Sequence, residues 1–149
     1  MRLSANFTLA EFIKSQTATR KGLDNTPGDE HLVSAKSLFE NVVQKVRDNF
    51  GLTVINSGYR GPALNEAVGG SSKSQHCKGE AVDIECPGTG NHDVAKWIQE
   101  NLDFDQMIWE FGDDKNPNWV HVSYVSDVAN RNRCLKAYKE KGSTKYAVI

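Results

Sequence analysis

The sequence predicts an α+β fold in which helices pack on one face of a small antiparallel sheet. Helical patterns dominate the first half of the chain, and strand patterns dominate the second half. A turn-rich connector at 112–118 joins two of the strands as a hairpin. The 149 residues contain no repeat and no Pro/Gly-rich linker, so we expect a single domain over 1–149.

The first predicted helix begins beside Thr8. A threonine followed three residues later by Glu11 is the pattern of a capping box, in which each side chain bonds the backbone of the other residue. Phe7 and Phe12 flank this start at the spacing of a hydrophobic staple. The segment therefore predicts a short, firmly capped helix.

A longer helix is predicted over about 30–49. Leu38, Val42 and Val46 recur every four residues and would form one apolar row against the core. Gly51 follows this row, and we expect it to end the helix because glycine readily adopts the left-handed conformation found at helix ends.

Two short strands enclose a long polar segment. The runs 53–56 and 81–84 are rich in β-branched residues and predict strands, with Val82 and Ile84 on the core-facing side of the second. The segment 61–80 between them is polar and glycine-rich, and we interpret it as an irregular functional loop.

One more helix and two strands follow. Asn91 is a suitable cap for a helix over about 92–101. The apolar side of this helix consists of Val94, Trp97 and Ile98. Strands are predicted at 106–111 and 119–124, on either side of the connector. The remaining segment, 126–149, is either a C-terminal strand or a basic tail.

Composition argues against several classes of protein. The 18 Lys and Arg against 19 Asp and Glu give a net charge of −1, which argues against a nucleic-acid partner. No apolar run approaches the ~20 residues of a membrane span. No signal peptide follows Met1, so we expect synthesis in the cytoplasm. We also expect no membrane insertion and a monomer. An odd number of cysteines leaves no complete disulfide framework, and we interpret Cys77, Cys86 and Cys134 as free thiols.

Two histidines and one aspartate are the candidate metal ligands. His76 ends the glycine-containing loop, and Asp83 lies seven positions later on the outward face of its strand. His121 also points outward, because Val120 and Val122 on either side of it would face the core. Two imidazoles and one carboxylate suit a catalytic zinc, which keeps a fourth position for water and lowers the pKa of that water toward ~7.

The alternative interpretation of these residues is structural. A histidine on a strand often serves only as a hydrogen-bonded residue of the interior, and a His and an Asp seven residues apart are a common coincidence. His31 and His92 have no comparable setting, and we interpret both as surface residues.

Further motifs surround these residues in a fixed order. They are Ser57-Gly58-Tyr59-Arg60, Asn65, Val68-Gly69-Gly70, Ser74-Gln75-His76 with Gly79, Ala81 and Asp83, and Trp119-Val120-His121-Val122-Ser123. Together they resemble the zinc peptidases of the D-Ala-D-Ala carboxypeptidase family. That family includes vancomycin-resistance dipeptidases and phage endolysins, and it is related to lysostaphin-type peptidases and the hedgehog amino-terminal domain.

The front of the chain extends this resemblance. The segment 7–12, Ser15, Ala18 and the segment 22–27 are similar to the opening of small phage and prophage members. The resemblance covers about 5–125 and implies a fold like that of the hedgehog domain and the D-Ala-D-Ala peptidases.

The resemblance also implies a zinc site. Its ligands would be His76, Asp83 and His121. Arg60 would lie near the scissile carbonyl or a substrate carboxylate, where a guanidinium holds a carboxylate or stabilises an oxyanion. A surface ion pair with Glu66 or Glu80 is the alternative role for Arg60.

Neighbouring side chains are candidate substrate contacts. Ser74 and Gln75 would orient His76 or bind the substrate backbone. Tyr59 and Trp119 are candidates to wall the cleft and bind peptide or sugar, with core packing as the alternative for each. Trp109 and Tyr124 lie near the same site in sequence.

The general base departs from the family pattern. Many members have an acidic residue three positions before the last histidine, and others in the wider group have a histidine two positions before it. Asn118 and Trp119 occupy these positions here, and neither can accept a proton from zinc-bound water. Glu110 is our candidate, because its strand can pair with that of His121 and bring near-opposite Cβ atoms within about 5 Å. A solvated strand-end charge is the alternative role for Glu110. The other candidates for the base are Asp113 and Asp114 in the connector.

The resemblance implies a zinc metallopeptidase that hydrolyses the stem peptides of bacterial peptidoglycan. It would act as a D-Ala-D-Ala carboxypeptidase, or as an endopeptidase on L-Ala-D-Glu or cross-bridge bonds. We expect a phage- or prophage-type enzyme that reaches the periplasmic wall through a lysis system or in a particle. The alternative is an inactive zinc-bearing domain with a wall-binding or structural role.

Overall fold

The alternating pattern in the second half of the chain forms a mixed β-sheet. Its strands are β3 (Val54–Ser57), β4 (Ala81–Glu85), β5 (Gln106–Glu110), β6 (Trp119–Ser123), β7 (Arg133–Glu140) and β8 (Ser143–Val148). The computed structural model describes residues 1–111 and 117–149, and in these ranges the six strands pair in the order β3-β4-β6-β5-β7-β8. All neighbours are antiparallel except β5 and β7, which are parallel.

The predicted α+β class is confirmed, but the expectation of an antiparallel sheet is wrong at one position. Strand β6 has β4 on one side and β5 on the other, so neither of its edges is free. The chain therefore continues to the free edge of β5, where β7 pairs in the parallel direction. The C-terminal segment forms the hairpin of β7 and β8 rather than a tail.

The N-terminal elements follow the predicted capping pattern. Strands β1 (Arg2–Ser4) and β2 (Phe7–Thr8) form a small antiparallel pair that leads into α1 (Leu9–Ile13). The backbone N–H of Thr8 donates to Glu11 Oε1 at 3.0 Å, and the backbone N–H of Glu11 donates to Thr8 Oγ1 at 3.4 Å. The capping box is confirmed. It fixes the entry of α1, which is followed by α2 (Gln16–Lys21).

The long predicted helix forms as three consecutive segments. These are α3 (Asp29–Leu38), a π-helical turn (Phe39–Val43) and α4 (Gln44–Phe50). Leu38, Val42 and Val46 are completely buried, which confirms the apolar row. Gly51 ends the helix with a φ of +86°. Phe7 and Phe12 each pack edge-on against Phe39, with ring centroids 5.3 Å apart, so Phe39 joins the predicted staple to the long helix.

The polar segment 61–80 is more ordered than the sequence indicates. It contains α5 (Pro62–Ala67) and a 3₁₀ helix (Gln75–Lys78), so the interpretation as an irregular loop is wrong. Proline without an N–H is well suited to the first turn of a helix, where that N–H would lack an intrahelical partner. Pro62 therefore starts α5 rather than preventing it.

Helix α6 (Asn91–Asn101) has a different start from the predicted one. Gly90 occupies the cap position, and Asn91 already lies within the helix. The Asn91 amide donates to the carbonyl oxygens of Pro117 and Asn118, each at 3.0 Å. The prediction that Asn91 caps the helix is wrong, because this side chain ties α6 to the segment before β6. In this helix Val94 and Ile98 are buried and Trp97 is half-buried.

The long helix and α6 pack on one face of the sheet. The strand residues in this main core are Val82, Ile84, Met107, Val120, Val122 and Cys134. Side chains alternate along a strand, so the residues between these positions lie on the other face, which we call the site face. No helix in the described part of the chain is long and apolar enough to cross a membrane.

Gly58 lies where the end of β3 meets α1. The Tyr59 backbone N–H donates to the Phe12 carbonyl at 2.9 Å. A Cβ atom on Gly58 would overlap the same carbonyl oxygen and would lie 2.6 Å from Phe12 Cδ1. Only glycine allows these two backbone segments to approach so closely.

We expect Gly58→Ala to lower the free energy of unfolding by about 1–3 kcal/mol, the usual cost of overpacking a filled interior. Urea denaturation followed by circular dichroism measures this change. Gly61→Ala is the matched control, because a Cβ there has its nearest neighbour, Asn25 Oδ1, at 3.4 Å. Equal stabilities of the two variants would contradict the assignment of a steric role to Gly58.

Candidate metal centre

Three candidate ligands converge on the site face. Asp83 and His121 are directly opposite each other in the register of β4 and β6. His121 Nδ1 lies 3.0 Å from Asp83 Oδ1, and His76 Nε2 lies 3.4 Å from the same oxygen. One ligand atom from each of the three residues lies within 4.8 Å of the others. The sequence-predicted trio is therefore assembled in one place.

A backbone carbonyl orients His76. His76 Nδ1 lies 2.7 Å from the carbonyl oxygen of Gly58. Because a carbonyl only accepts hydrogen bonds, Nδ1 carries the proton, and the lone pair of a neutral ring is on Nε2, which faces Asp83. Histidines that bind metals usually donate their second ring N–H to such a carbonyl or carboxylate.

Two further contacts hold the backbone around His76. The Ser74 hydroxyl accepts from the His76 backbone N–H at 3.2 Å and caps the 3₁₀ helix. The Arg60 backbone N–H donates to the His76 carbonyl at 3.1 Å. Ser74 thus contacts the backbone of His76 and not its imidazole ring.

The electrostatics of the trio favour a cation. Burial lowers the pKa of His76 and outweighs the opposing effect of Asp83, which favours the neutral imidazole that metals require. Burial alone would raise the pKa of Asp83, but the adjacent imidazoles, His121 first and then His76, hold it well below its usual range. The site therefore presents a carboxylate beside imidazole nitrogens.

The spacing of the ligand atoms fits zinc. A tetrahedral zinc with bonds of about 2.0–2.1 Å has ligand atoms about 3.3 Å apart. The separations of 3.0 and 3.4 Å around Asp83 Oδ1 are close to this edge length. These three residues would hold the ion and leave a fourth position toward the cleft.

The ligands form part of a cleft of about 660 Å³ on the site face. Other residues that line it include Arg60, Lys73, Ser74, Gln75, Lys78, Ile108, Glu110, Trp119, Arg131, Leu135 and Tyr146. All the candidate site residues from the described part of the chain are in this lining except Tyr59.

Glu110 lines the same cleft as the ligands, but not in the position that the sequence suggested. The residue directly opposite His121 is Ile108, whereas Glu110 is opposite Trp119. Glu110 is thus a diagonal neighbour of His121 on the same face, at about 7 Å rather than about 5 Å. Burial, with a contribution from Asp83, raises the pKa of Glu110 to about 7 despite opposing effects of His121 and Arg60.

Asn118, three positions before His121, is exposed and is not part of the cleft lining. Its backbone N–H donates to the Glu110 carbonyl at 2.9 Å, so the two residues are neighbours across the strands. The alternative bases Asp113 and Asp114 lie outside the residues that the structure describes.

Arg60 lines the cleft and is not paired with a surface carboxylate in the described part of the chain. Neither Glu66 nor Glu80 forms an ion pair with it among the described residues. Its Nε atom is buried and has no hydrogen-bond partner within those ranges. An unpaired guanidinium edge in a cleft is available to a bound anion.

Gln75 joins the site to an ion pair that sequence reasoning missed. Its amide donates to Asp105 Oδ2 at 2.9 Å. Arg131 holds the same carboxylate through Nε at 3.0 Å and Nη2 at 2.9 Å. Asp105 is almost fully buried, and nothing in the local pattern around it indicates a partner 26 residues later. Gln75 therefore anchors the 3₁₀ helix to the C-terminal part of the chain.

The four aromatic residues that lie near the site in sequence have different places in the structure. Trp119 lines the site cleft, whereas Tyr59 lines a neighbouring cleft of about 510 Å³ that shares Arg60 with it. Trp109 and Tyr124 lie in neither lining.

The two remaining histidines are not simple surface residues, so that interpretation is wrong. His31 is half-buried, with its ring centroid 5.1 Å from that of Tyr59, and its Nδ1 accepts from the Gly28 backbone at 3.2 Å. His92 is half-buried beside Trp109, with ring centroids 4.9 Å apart. All three cysteines, each within the described ranges, are free thiols, as predicted.

Comparison with known proteins identifies a family for most of the chain. A family model described as Peptidase M15 matches residues 5–123. A search of curated proteins finds no match. The matched range includes the three candidate ligands, Arg60 and Glu110, and it ends at the last residue of β6, before β7 and β8.

We expect the purified protein to retain one zinc ion per chain and Asp83→Ala to lose it, because the two histidines alone do not complete the site. Elemental mass spectrometry after desalting measures the zinc content of each protein. Zinc should also raise the unfolding temperature of the wild type but not of the variant. Asp127→Ala, at an exposed position, is the control. Equal zinc retention in the Asp83 and Asp127 variants would rule out Asp83 as a ligand.

A second prediction concerns the metal-free protein and pH. In the folded protein the pKa of Glu110 is about 7, above its ordinary value of 4.5. The stability that the protonated carboxyl contributes to the folded state is therefore lost as pH rises through that interval. Glu110→Gln should therefore become more stable relative to the wild type between pH 5 and pH 8. The gain should be on the order of 1 kcal/mol once solvent screening is allowed for. Urea unfolding in EDTA at both pH values tests this. A stability difference that does not change with pH would contradict it.

Proposed function

The chain belongs to the peptidase M15 family, and we propose that it is a zinc-dependent peptidase that hydrolyses the stem peptides of bacterial peptidoglycan. The observation that carries the proposal is the convergence of His76, Asp83 and His121 in a cleft that also contains Glu110 and Arg60. The family is one of zinc peptidases, and His76 and His121 each approach Asp83 Oδ1 at a distance close to the ligand separation of a tetrahedral zinc.

Glu110 is the proposed general base. Bound zinc would polarise the scissile carbonyl and make hydroxide available near neutral pH. Glu110 would take the proton from the attacking water and pass it to the leaving amine. A raised pKa makes a carboxylate a stronger proton acceptor, and burial raises the pKa of Glu110 to about 7 in the metal-free protein.

Arg60 is the proposed anion-binding residue. It enters the cleft from the segment that follows β3, and Lys73 and Lys78 line the same cleft. These cations suit a substrate that carries carboxylates, as peptidoglycan stem peptides do. Arg60 would hold a substrate carboxylate or stabilise the negative charge that develops on the scissile carbonyl oxygen.

The bond and the biological setting are the finer parts of the proposal. Cleavage of D-Ala-D-Ala by a carboxypeptidase and of L-Ala-D-Glu or cross-bridge bonds by an endopeptidase both fit an anionic peptide in this cleft. A phage- or prophage-type role in lysis or wall penetration is supported by the resemblance of the N-terminal segment to small phage members. The enzyme would be made in the cytoplasm and act on the periplasmic wall.

The test is digestion of purified Gram-negative sacculi, with mass spectrometry of the soluble products. We expect new muropeptides that disappear when zinc is chelated and return when zinc is restored. Their masses identify the bond that is cut. Products that persist in the presence of the chelator would contradict a zinc mechanism.

Glu110→Gln tests the assignment of the base in the same assay. We expect turnover to fall about 10²–10⁴-fold, the usual contribution of general-base catalysis, while zinc content stays at the wild-type level. Near-wild-type turnover would exclude Glu110 as the base. Absence of products from zinc-loaded wild-type protein would instead favour a wall-binding domain without hydrolytic activity.

A further inference from the structure

An apolar cluster lies on the site face, away from the main core. Its buried members are Ile108, Leu135 and Ala137, and Phe111 packs against them. The site face of the sheet carries the candidate ligands, and most other residues that line its cleft are polar or charged. A separate apolar cluster beside the ligands therefore calls for an explanation.

The strand register places this cluster directly beside the metal ligands. His121 is opposite Ile108, and Ile108 is opposite Leu135. Neighbouring strands lie about 4.8 Å apart, so Leu135 is about 10 Å from His121 across the sheet. Ile108 and Leu135 both line the cleft that contains the ligands.

Tyr146 extends the apolar surface in the next row. Ala137 lies between Glu110 on β5 and Tyr146 on β8, in register with both. Ala137 itself is completely buried, and Tyr146 is 56% exposed and lines the cleft. Burial and, secondly, the charge of Glu110 raise the pKa of Tyr146, consistent with a phenol that faces this carboxyl.

Phe111 reinforces the same region at an energetic cost. Its φ is +54°, a left-handed conformation that a bulky side chain rarely adopts. The residue follows Glu110, so regular alternation would turn its ring to the core face. Instead the ring packs 5.8 Å from that of Trp119 and joins the cluster on the site face. Such strain is concentrated at functional sites.

We propose that Ile108, Leu135 and Tyr146 form an apolar subsite that receives an aliphatic side chain of the peptide bound at the metal. The inference rests on the proposed zinc peptidase function and names a specificity determinant for it. Leu135 and Tyr146 lie beyond residues 5–123, the range matched by the family model, so this wall comes from the chain's own C-terminal hairpin. Arg60 and Lys73 line the same cleft, which lets one ligand place a carboxylate and an alkyl group on different walls.

The test uses a series of alkyl hydroxamates: acetohydroxamate, butanohydroxamate and hexanohydroxamate. The hydroxamate group binds zinc, and the alkyl chain probes the surface beside it. Isothermal titration calorimetry on the zinc-loaded protein gives an affinity for each compound without requiring turnover. We expect affinity to rise about two- to fourfold per methylene, as for burial of methylene groups.

Substitutions in the hairpin of β7 and β8 test whether it forms the apolar wall of the subsite. Tyr146→Ala should remove most of the dependence on chain length, whereas Tyr146→Phe should keep it because the ring remains. Tyr138→Ala is the matched control. Tyr138 lies in the same hairpin, is 37% exposed and is absent from the cleft lining, so its removal should leave the dependence unchanged.

The outcomes separate the subsite from the metal site. Equal wild-type affinities for all three hydroxamates would overturn the subsite and leave the zinc site intact. A chain-length dependence that survives in Tyr146→Ala would overturn the proposed wall. Failure of the protein to take up zinc would overturn the metal site and the proposed function, whereas no hydroxamate binding to protein shown to hold zinc would overturn the subsite.

Discussion

The alternation of core-facing and outward side chains in β4 and β6 is the constraint on which the site depends. The core-facing residues are Val82, Ile84, Val120 and Val122, all completely buried. Burial of each such side chain contributes about 1.5–3 kcal/mol, and a slip of one residue would reverse the face of every side chain in the strand. Packing of the core therefore fixes Asp83 opposite His121. The relative position of these two ligands thus depends on residues that are not ligands themselves.

The third ligand depends on a different set of contacts. His76 is held by the Gly58 carbonyl, and the close approach of Gly58 to Phe12 ties this carbonyl to α1. Phe12 packs against Phe39 of the long helix. The N-terminal half of the chain thus determines where the histidine lies, although it supplies no ligand itself. Damage to this packing would displace one ligand and leave the Asp83–His121 pair in register.

The two walls of the cleft have different chemical character. The segment after β3 and the 3₁₀ helix supply cations, whereas β5 and the C-terminal hairpin supply apolar groups. Glu110 lies between these walls on the same face as His121. Asn118 and Glu110 are neighbours across the strands. A carboxylate on β5 can therefore reach the cleft into which the family pattern places an acid from the segment before β6. Glu110 is therefore the proposed base in this cleft.

Features that depend on neighbouring residues could be predicted from the amino-acid sequence. The capping box at Thr8, the apolar row of the long helix and the outward direction of Asp83 and His121 all follow from local spacing. Only the tertiary structure decided which distant segments meet. It placed β7 parallel to β5, moved Glu110 to a diagonal position beside His121, and brought Tyr146 into the cleft. The physical reason is that strand order and register arise from competition among all the strands for free edges, and no single segment encodes that competition.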